Sequence, residues 1–134
     1  MTLAVVDSSA VVAVLTDAGS AGRWATERLL ATDALAAPAL MPFEVANILR
    51  RHEAAGLIGR DQAVQAHADL LDLDVQLWPH EATARRAWDL RATLTAYDAA
   101  YVALGEALVA PLITLDARIA RAPGHDCRVL TPSA

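Results

Sequence analysis

The sequence predicts an α/β fold in which a mostly parallel central sheet is flanked by helices. Short apolar segments of the kind that form buried strands alternate along the chain with longer segments whose apolar residues recur at helical spacing. Helices between successive strands let those strands run parallel and cover both faces of the sheet. With no repeat or linker, the 134 residues are expected to form a single domain, 1–134, whose core needs no disulfide.

The elements follow one another in the order that this fold requires. Strands are predicted at residues 3–6, 75–78, 112–115 and 128–130, with a further short apolar segment near 35–37. Helices are predicted at 8–15, 20–30, from between Pro38 and Pro42 to about 55, at 61–71, 81–90, 95–108 and 117–122. Gly56 is expected to end the third helix, and Pro79 to close the strand at 75–78.

The charged residues exclude several classes of protein. The formal net charge is −5, and all 11 basic residues are arginines. Without lysine the chain has no Schiff-base nucleophile, no Walker-type phosphate loop and no receiver-domain lysine. The acidic balance also argues against bulk coating of nucleic acid, which depends on neutralising many phosphates. The lone Cys127 is expected to be buried, and it allows neither an internal disulfide nor a cysteine and histidine metal cluster.

Neither a signal peptide nor a membrane span is expected. The apolar run at 3–6 has no basic segment before it and is followed at once by Asp7. The apolar stretch at 96–115 contains Asp98 and Glu106, which a lipid environment disfavours. We therefore expect a cytoplasmic protein with no membrane contact.

Two aspartates stand where predicted strands lead into helices. Asp7 follows the strand at 3–6, and Asp116 follows the strand at 112–115. Because the carboxyl ends of parallel strands meet at one edge of a sheet, both carboxylates are expected at that edge. Helix N-capping is the structural alternative for each of them. Ser8 and Ser9 are alternative caps of the first helix, which would leave the Asp7 carboxylate free to point off the sheet.

Two further acids occupy mostly apolar stripes of predicted helices. Glu44 and Asp98 have apolar neighbours one helical turn away, a setting in which a carboxylate rarely lacks a partner. The structural alternative for Glu44 is a buried ion pair with an arginine, and for Asp98 a capping box with Thr95. Both acids fall near the first turn of their helices, so they too are expected to face the carboxyl edge of the sheet.

Four carboxylates aimed at one edge would repel one another unless a cation holds them. Ligation by oxygen alone suits Mg²⁺ or Mn²⁺, and the chain has no histidine and cysteine set for zinc. Such an ion lowers the pKa of a bound water and neutralises charge on a phosphodiester. Arg51, Arg118 and Arg121 follow these acids on the same helices and are candidates for phosphate contacts, with solvated surface charge as the alternative.

Four motifs, taken together, resemble those of a known family. They are Val-Val-Asp-Ser-Ser-Ala ending at Ala10, Pro-Phe-Glu-Val-Ala-Asn ending at Asn47, Tyr-Asp-Ala-Ala-Tyr-Val-Ala-Leu beginning at Tyr97, and Leu-Ile-Thr-Leu-Asp ending at Asp116. In this ordered set the chain resembles the PIN-domain ribonucleases, and in length it is similar to the VapC toxins of bacterial VapBC pairs. The resemblance implies a three-layer fold and Mg²⁺- or Mn²⁺-dependent endonucleolytic cleavage of RNA.

The same resemblance implies residue roles and partners. The catalytic, metal-binding acids would be Asp7, Glu44, Asp98 and Asp116, the last often acting through water. The supporting polar groups would be the hydroxyls of Ser8 and Thr114 and the amide of Asn47. The resemblance also implies a homodimer and a cognate antitoxin, folded in part as a DNA-binding dimer, whose tail occludes the site.

Two other function classes stay open on the residues alone. A phosphoryl acceptor of the receiver or haloacid-dehalogenase type would also have an aspartate after its first strand. Those patterns require an adjacent acid pair or Asp-x-Asp, and a receiver also needs a later lysine, whereas this chain has Asp7-Ser8-Ser9. Labelling of Asp7 by beryllofluoride would favour that class. A non-enzymatic module binding a partner through its apolar surface would be favoured by calorimetry that detects no Mg²⁺ or Mn²⁺ binding.

Overall fold

Five short strands form one parallel sheet in the computed structural model, which describes residues 1–132. The strands are β1 (Leu3–Val6), β2 (Ala34–Pro38), β3 (Gln76–Trp78), β4 (Leu112–Ile113) and β5 (Val129–Leu130). They lie in the order β3-β2-β1-β4-β5, and every neighbouring pair is parallel. The predicted α/β fold with a central parallel sheet is confirmed.

Helices link the strands and cover the sheet. They are α1 (Ser8–Thr16), α2 (Ser20–Leu30), α3 (Met41–Ala54), α4 (Arg60–Asp72), α5 (Ala84–Asp89), α6 (Ala96–Leu108) and α7 (Ala117–Arg121). Helix α3 ends as predicted, because Gly56 has a φ of 74° and its N–H donates back to the Glu53 carbonyl at 3.0 Å. A left-handed backbone of this kind is open to glycine at little steric cost.

The core lies on both faces of the sheet. Successive side chains of a strand point to opposite faces, and Ala4, Val5 and Val6 are all buried. Helix α6 packs on β1 and β2, whereas α1 packs with α2, α3 and α4. Within residues 1–132, no helix combines the length and the hydropathy that crossing a membrane requires.

The predicted helix at 81–90 is wrong in its details. A short 3-10 helix occupies His80–Ala82, and α5 begins only at Ala84. Between them Thr83 has φ −125° and ψ −8°, and its buried hydroxyl donates to the His80 carbonyl at 3.4 Å. A threonine side chain that bonds to nearby backbone competes with the regular helical pattern, which explains the break.

The fourth strand is shorter than the predicted segment at 112–115. Only Leu112–Ile113 lies in the ladder, although the Thr114 N–H still donates to the Leu130 carbonyl at 3.1 Å. Beyond that point the chain turns toward α7. The sheet therefore ends where its polar side chains begin.

The strand order reverses at β1. Val5 is paired with Ala36 of β2 on one side and with Leu112 of β4 on the other. In open α/β sheets, the carboxyl ends of the strands at such a reversal are where ligands commonly bind. The Asp7 N–H donates to the Ile113 carbonyl at 3.1 Å, which ties the loops after β1 and β4 together.

Candidate active site

Asp7 is the most buried acid at this edge, with 5% of its surface exposed. It caps α1 itself, because Oδ1 accepts from the Ala10 N–H at 3.0 Å. Oδ1 also accepts from the Ser9 hydroxyl at 2.7 Å, and Oδ2 accepts from the Thr114 hydroxyl. The alternative in which Ser8 or Ser9 caps this helix is wrong. Oδ2 has one such partner within residues 1–132 and so keeps a lone pair for another ligand.

Ser9 and Thr114 join the two strand ends. The Ser9 hydroxyl oxygen accepts from the Leu115 N–H at 3.1 Å, and that of Thr114 accepts from the Asp116 N–H at 3.0 Å. Thr114 is fully buried, so these bonds are shielded from water. The sequence analysis identified Thr114 as a supporting group but gave Ser9 only as an alternative helix cap, although its position two residues after Asp7 was an available signal.

Glu44 is half-buried in the first turn of α3 and is held by a tyrosine. The Tyr101 hydroxyl donates to Glu44 Oε1 at 2.5 Å. The alternative of an ion pair between Glu44 and an arginine is wrong, since the described residues hold only the pairs of Arg86 with Glu106 and Arg118 with Asp116. Tyr101 belongs to the motif that begins at Tyr97, but the sequence analysis assigned it no role in the site.

Asp98 lies half-buried in the first turn of α6. Thr95 caps this helix by accepting from the Asp98 N–H at 3.1 Å. The second bond of a capping box, from the Thr95 N–H to the Asp98 carboxylate, is absent from residues 1–132. The Thr95 side chain still interacts with the Asp98 carboxylate, because it lowers the pKa of that group against the effect of burial.

Burial and mutual repulsion raise the pKa values of three of the acids. Burial raises the pKa of Asp7 above its ordinary value despite bonds from Thr114, Ser9 and Ala10, and the Asp98 charge raises it further. Burial likewise raises the pKa of Glu44, with Asp98 again adding to the effect and the hydroxyls of Tyr101 and Ser8 opposing it.

Asp98 is electrostatically linked to all the other acids. Burial raises its pKa first, and the charge of Asp116 raises it next. Since Asp98 also raises the pKa values of Asp7 and Glu44, it is the acid that couples to each of the other three. These couplings give the set of acids an excess of negative charge, and their joint role in one site stays a prediction.

Asp116 differs from the other three acids because an arginine neutralises it. Arg118 donates through Nε to Oδ1 at 3.0 Å and through a terminal nitrogen to Oδ2 at 2.8 Å, and this contact lowers the pKa of Asp116. Asp116 also caps α7, accepting from the Arg118 N–H at 3.0 Å. The Arg118 guanidinium is thus occupied by a carboxylate, although sequence reasoning proposed a phosphate contact.

The remaining predicted residues surround the acids at a greater distance. Asn47 is exposed, and its Oδ1 accepts from Nε and a terminal nitrogen of Arg50 at 3.1 and 3.0 Å. Asn47 and Arg51 line the same groove as Glu44. Arg121 is exposed on α7, and its charge contributes to the lowered pKa of Asp116.

The donor chemistry of this cluster fits a hard divalent cation. Asp7, Glu44 and Asp98 offer carboxylate oxygens, carry raised pKa values and have no arginine partner in the described part of the chain. Oxygen ligands with net negative charge are those that Mg²⁺ and Mn²⁺ prefer. Within residues 1–132, no three histidine, cysteine, aspartate or glutamate side chains are placed so that they could hold a metal ion together, so the acids form no ready-made cage. Mg²⁺ needs no such cage, because it usually keeps several waters and takes one or two carboxylates.

Comparison with known proteins identifies the family of this chain. The family described as PIN domain matches residues 4–125. Ribonuclease VapC12 of Mycobacterium tuberculosis is 37% identical over 127 residues, which cover 93% of this chain and 95% of that protein. The PIN domain match favours the nuclease hypothesis over the phosphoryl acceptor.

Solved structures show the same fold at low sequence identity. The sarcin-ricin loop cleaving toxin VapC20 of Mycobacterium tuberculosis superposes with a TM-score of 0.70 at 16% identity, covering 93% of this chain and 97% of that one. VapBC2 from Rickettsia felis, solved bound to a DNA fragment from its promoter, gives 0.69 at 12% identity, covering 97% and 98%. With the family match and the sequence identity over nearly the full length, the chain belongs to the PIN-domain family, among the VapC ribonucleases.

Proposed function

We propose that this protein is a divalent-metal-dependent endoribonuclease and the toxin of a toxin–antitoxin pair. The observation that carries the proposal is the set of three carboxylates at the carboxyl edge of the sheet, with raised pKa values and no arginine partner in residues 1–132. A cluster of this kind is unfavourable in the free protein and becomes favourable when a cation binds. Strongly perturbed carboxylates in a cleft are typical of functional sites.

Asp7, Glu44 and Asp98 would hold Mg²⁺ or Mn²⁺, and Asp116 would assist from the Arg118 side. When bound, such an ion lowers the pKa of water and neutralises charge on a phosphodiester, which is the chemistry that hydrolysis of RNA needs. The chain's own contribution is to orient the ligands. Bonds from Ser9, Thr114 and Tyr101 restrict the carboxylates to one geometry, as partners outside the ligand set commonly do at metal sites.

Arginines must supply the positive charge of the protein that meets the RNA backbone, since the chain has no lysine. Arg51 lines the groove beside Glu44, and Arg121 lies exposed on α7. Arg118 has a different part in the proposal, because it already neutralises Asp116. We assign phosphate contacts to Arg51 and Arg121, and the positioning of Asp116 to Arg118.

The proposal includes partners of the protein. A cognate VapB-type antitoxin is supported by the similarity to VapBC2 from Rickettsia felis. A homodimer is supported by exposed apolar side chains near the β3 edge of the sheet, including Leu71 at 72% and Leu77 at 47% exposure. Cleavage of cellular RNA would occur in the cytoplasm.

The test is metal-dependent cleavage of total RNA, with sequencing of the new RNA ends. Wild-type protein should cut RNA in Mg²⁺ or Mn²⁺ and stop when the metal is chelated. Asp7→Asn and Asp98→Asn should each lose at least about 100-fold in cleavage rate, because each removes a charge from the ligand set. The 5′ ends that appear with wild type and vanish with Asp98→Asn would also identify the site that is cut.

Asp72→Asn is the matched control, since it makes the same change at an exposed aspartate at the end of α4. It should cleave like wild type. Circular dichroism and thermal unfolding check that the Asp7→Asn fold is intact. Full activity of Asp7→Asn, or cleavage that persists in excess chelator, would contradict the proposed function.

A further inference from the structure

Two exposed aromatic side chains flank the candidate active site. Phe43 is 80% exposed and directly precedes Glu44, and Tyr97 is 63% exposed and directly precedes Asp98. Both lie in or next to the first turn of their helices, α3 and α6. Neither ring is buried in the core, although large aromatic side chains gain more stability from burial than most others. Their exposure beside the acids therefore needs a reason outside the fold.

The two rings line a single groove together with Glu44. We call it the aromatic groove, and its volume is about 460 Å³. Its walls are formed by Leu40, Phe43, Glu44, Asn47, Ile48, Arg51 and Tyr97. The volume falls within the range of roughly 300–1,000 Å³ typical of small-ligand sites. The groove thus combines apolar surface and two ring faces with a carboxylate of the active site.

A cation lies in the same groove. Arg51 is exposed, follows Glu44 by seven positions on α3, and has no ion-pair partner within residues 1–132. The nearby Arg50 differs, because its guanidinium is held by the Asn47 side chain. Arg51 is therefore available for an anion that enters the groove, and the aromatic faces are available for a flat apolar group attached to that anion.

We propose that the aromatic groove is a nucleobase-binding subsite, in which Phe43 and Tyr97 stack on one unpaired base of RNA while Arg51 binds an adjacent phosphate. This inference rests on the proposed function, and it adds that the substrate must be single-stranded next to the bond that is cut. Stacking on aromatic side chains requires a base that is free of its helix. A nucleotide can contact both parts of the groove, because its base stacks on the rings and its phosphate binds Arg51.

The experiment compares two probes of equal length and charge. They are a 12-nucleotide oligoadenylate and a 12-mer of abasic ribose phosphate, each labelled for fluorescence anisotropy in Mg²⁺ at one salt concentration. All proteins carry Asp7→Asn, so that the RNA is not cut. The parent should bind oligoadenylate about tenfold or more tightly than the abasic probe, which is the size of one stacked base.

The substitutions separate the base from the phosphate. Phe43→Ala and Tyr97→Ala should each reduce the preference for oligoadenylate to less than about threefold, and Tyr97→Phe should retain it. Arg51→Ala should weaken binding of both probes equally, because it removes a phosphate contact. Trp88→Ala is the matched control, an aromatic side chain 66% exposed that lies outside the groove, and should leave both affinities unchanged.

Three results would overturn the subsite. The first is that the alanine variants retain the full preference for bases. The second is that the parent shows no preference. The third is that the alanine variants retain the preference but change the mass in light scattering, which would make this face an interface between copies. If wild-type protein cuts RNA but shows none of the expected preference, the subsite alone fails. If wild-type protein cuts no RNA in Mg²⁺ or Mn²⁺, the proposed function fails.

Discussion

The bond from Tyr101 to Glu44 gives the most direct test of how this site is held together. Tyr101 is 2% exposed and donates to Glu44 Oε1 at 2.5 Å. Burial and the adjacent carboxylate raise the pKa of the Tyr101 hydroxyl far above its ordinary value, so it remains a donor across the accessible pH range. Tyr101→Phe removes this hydroxyl and leaves the ring in the core.

The stability that Tyr101→Phe should lose follows from the chemistry of the bond between the tyrosine hydroxyl and the glutamate carboxylate. A hydrogen bond to a charged group contributes about 1.5–3 kcal/mol. Because Glu44 is only half-buried, water can replace part of the lost bond, and we expect the lower end, about 1.5 kcal/mol in the free energy of unfolding. The carboxylate also loses its orientation, so the affinity for Mn²⁺ should fall about tenfold, as for other partners of metal ligands.

The assays are urea unfolding without metal and calorimetric titration with Mn²⁺. Tyr97→Phe removes a hydroxyl from an exposed ring and should change neither quantity. In a Glu44→Gln background, Tyr101→Phe should cost less than half as much, because the two residues act as a pair. If Tyr101→Phe unfolds within about 0.5 kcal/mol of wild type and binds Mn²⁺ within about twofold of it, the bond has no positioning role.

Two further predictions concern the far side of α6. Glu106 accepts from Arg86 Nε at 2.7 Å and from the Asp126 N–H at 2.7 Å, and these bonds lower its pKa below the ordinary 4.5. The contribution of the Glu106 carboxylate to stability is therefore present above pH 4.5 and is lost as the pH falls through the lowered value. Glu106→Gln should unfold a few degrees below wild type at pH 7, and this difference should close in acid. A difference that stays constant with pH in thermal scans would contradict this. At Gly105 an added Cβ would lie 2.6 Å from Cys127 Sγ, so Gly105→Ala should cost about 1–3 kcal/mol in urea unfolding, and Cys127→Ala in the same chain should recover part of it; additive costs would refute the clash.

Most of the fold was accessible from local patterns. Apolar strands separated by helical segments predicted the parallel sheet, and Gly56 ended α3 as expected. The failure at 81–90 arose because Thr83 bonds to the His80 carbonyl and interrupts the helix, which apolar periodicity does not register. The strand predicted to reach residue 115 stops at Ile113, because the chain turns within three residues to Asp116, the N-cap of α7.

The acids themselves were accessible for a similar reason. Asp7 and Asp116 follow strands, and Glu44 and Asp98 interrupt apolar helix stripes, so the linear pattern marked all four. The linear pattern could not show which of these carboxylates is paired with an arginine. Arg118 forms an ion pair with Asp116 and only a longer-range interaction with Asp98, so that within residues 1–132 the other three carboxylates have no ion pair, which only the folded arrangement decides.

The sequence by itself determined the fold class, and it marked the edge of the sheet and the four carboxylates that we propose as the active site, because these depend on neighbours within a few residues. The tertiary structure alone decided how the carboxylates are held. Thr114 reaches Asp7 across 107 positions of the chain, and Tyr101 reaches Glu44 across 57. Such partners cannot be read from spacing, since a hydrogen bond depends on a distance in space that many sequence separations can satisfy.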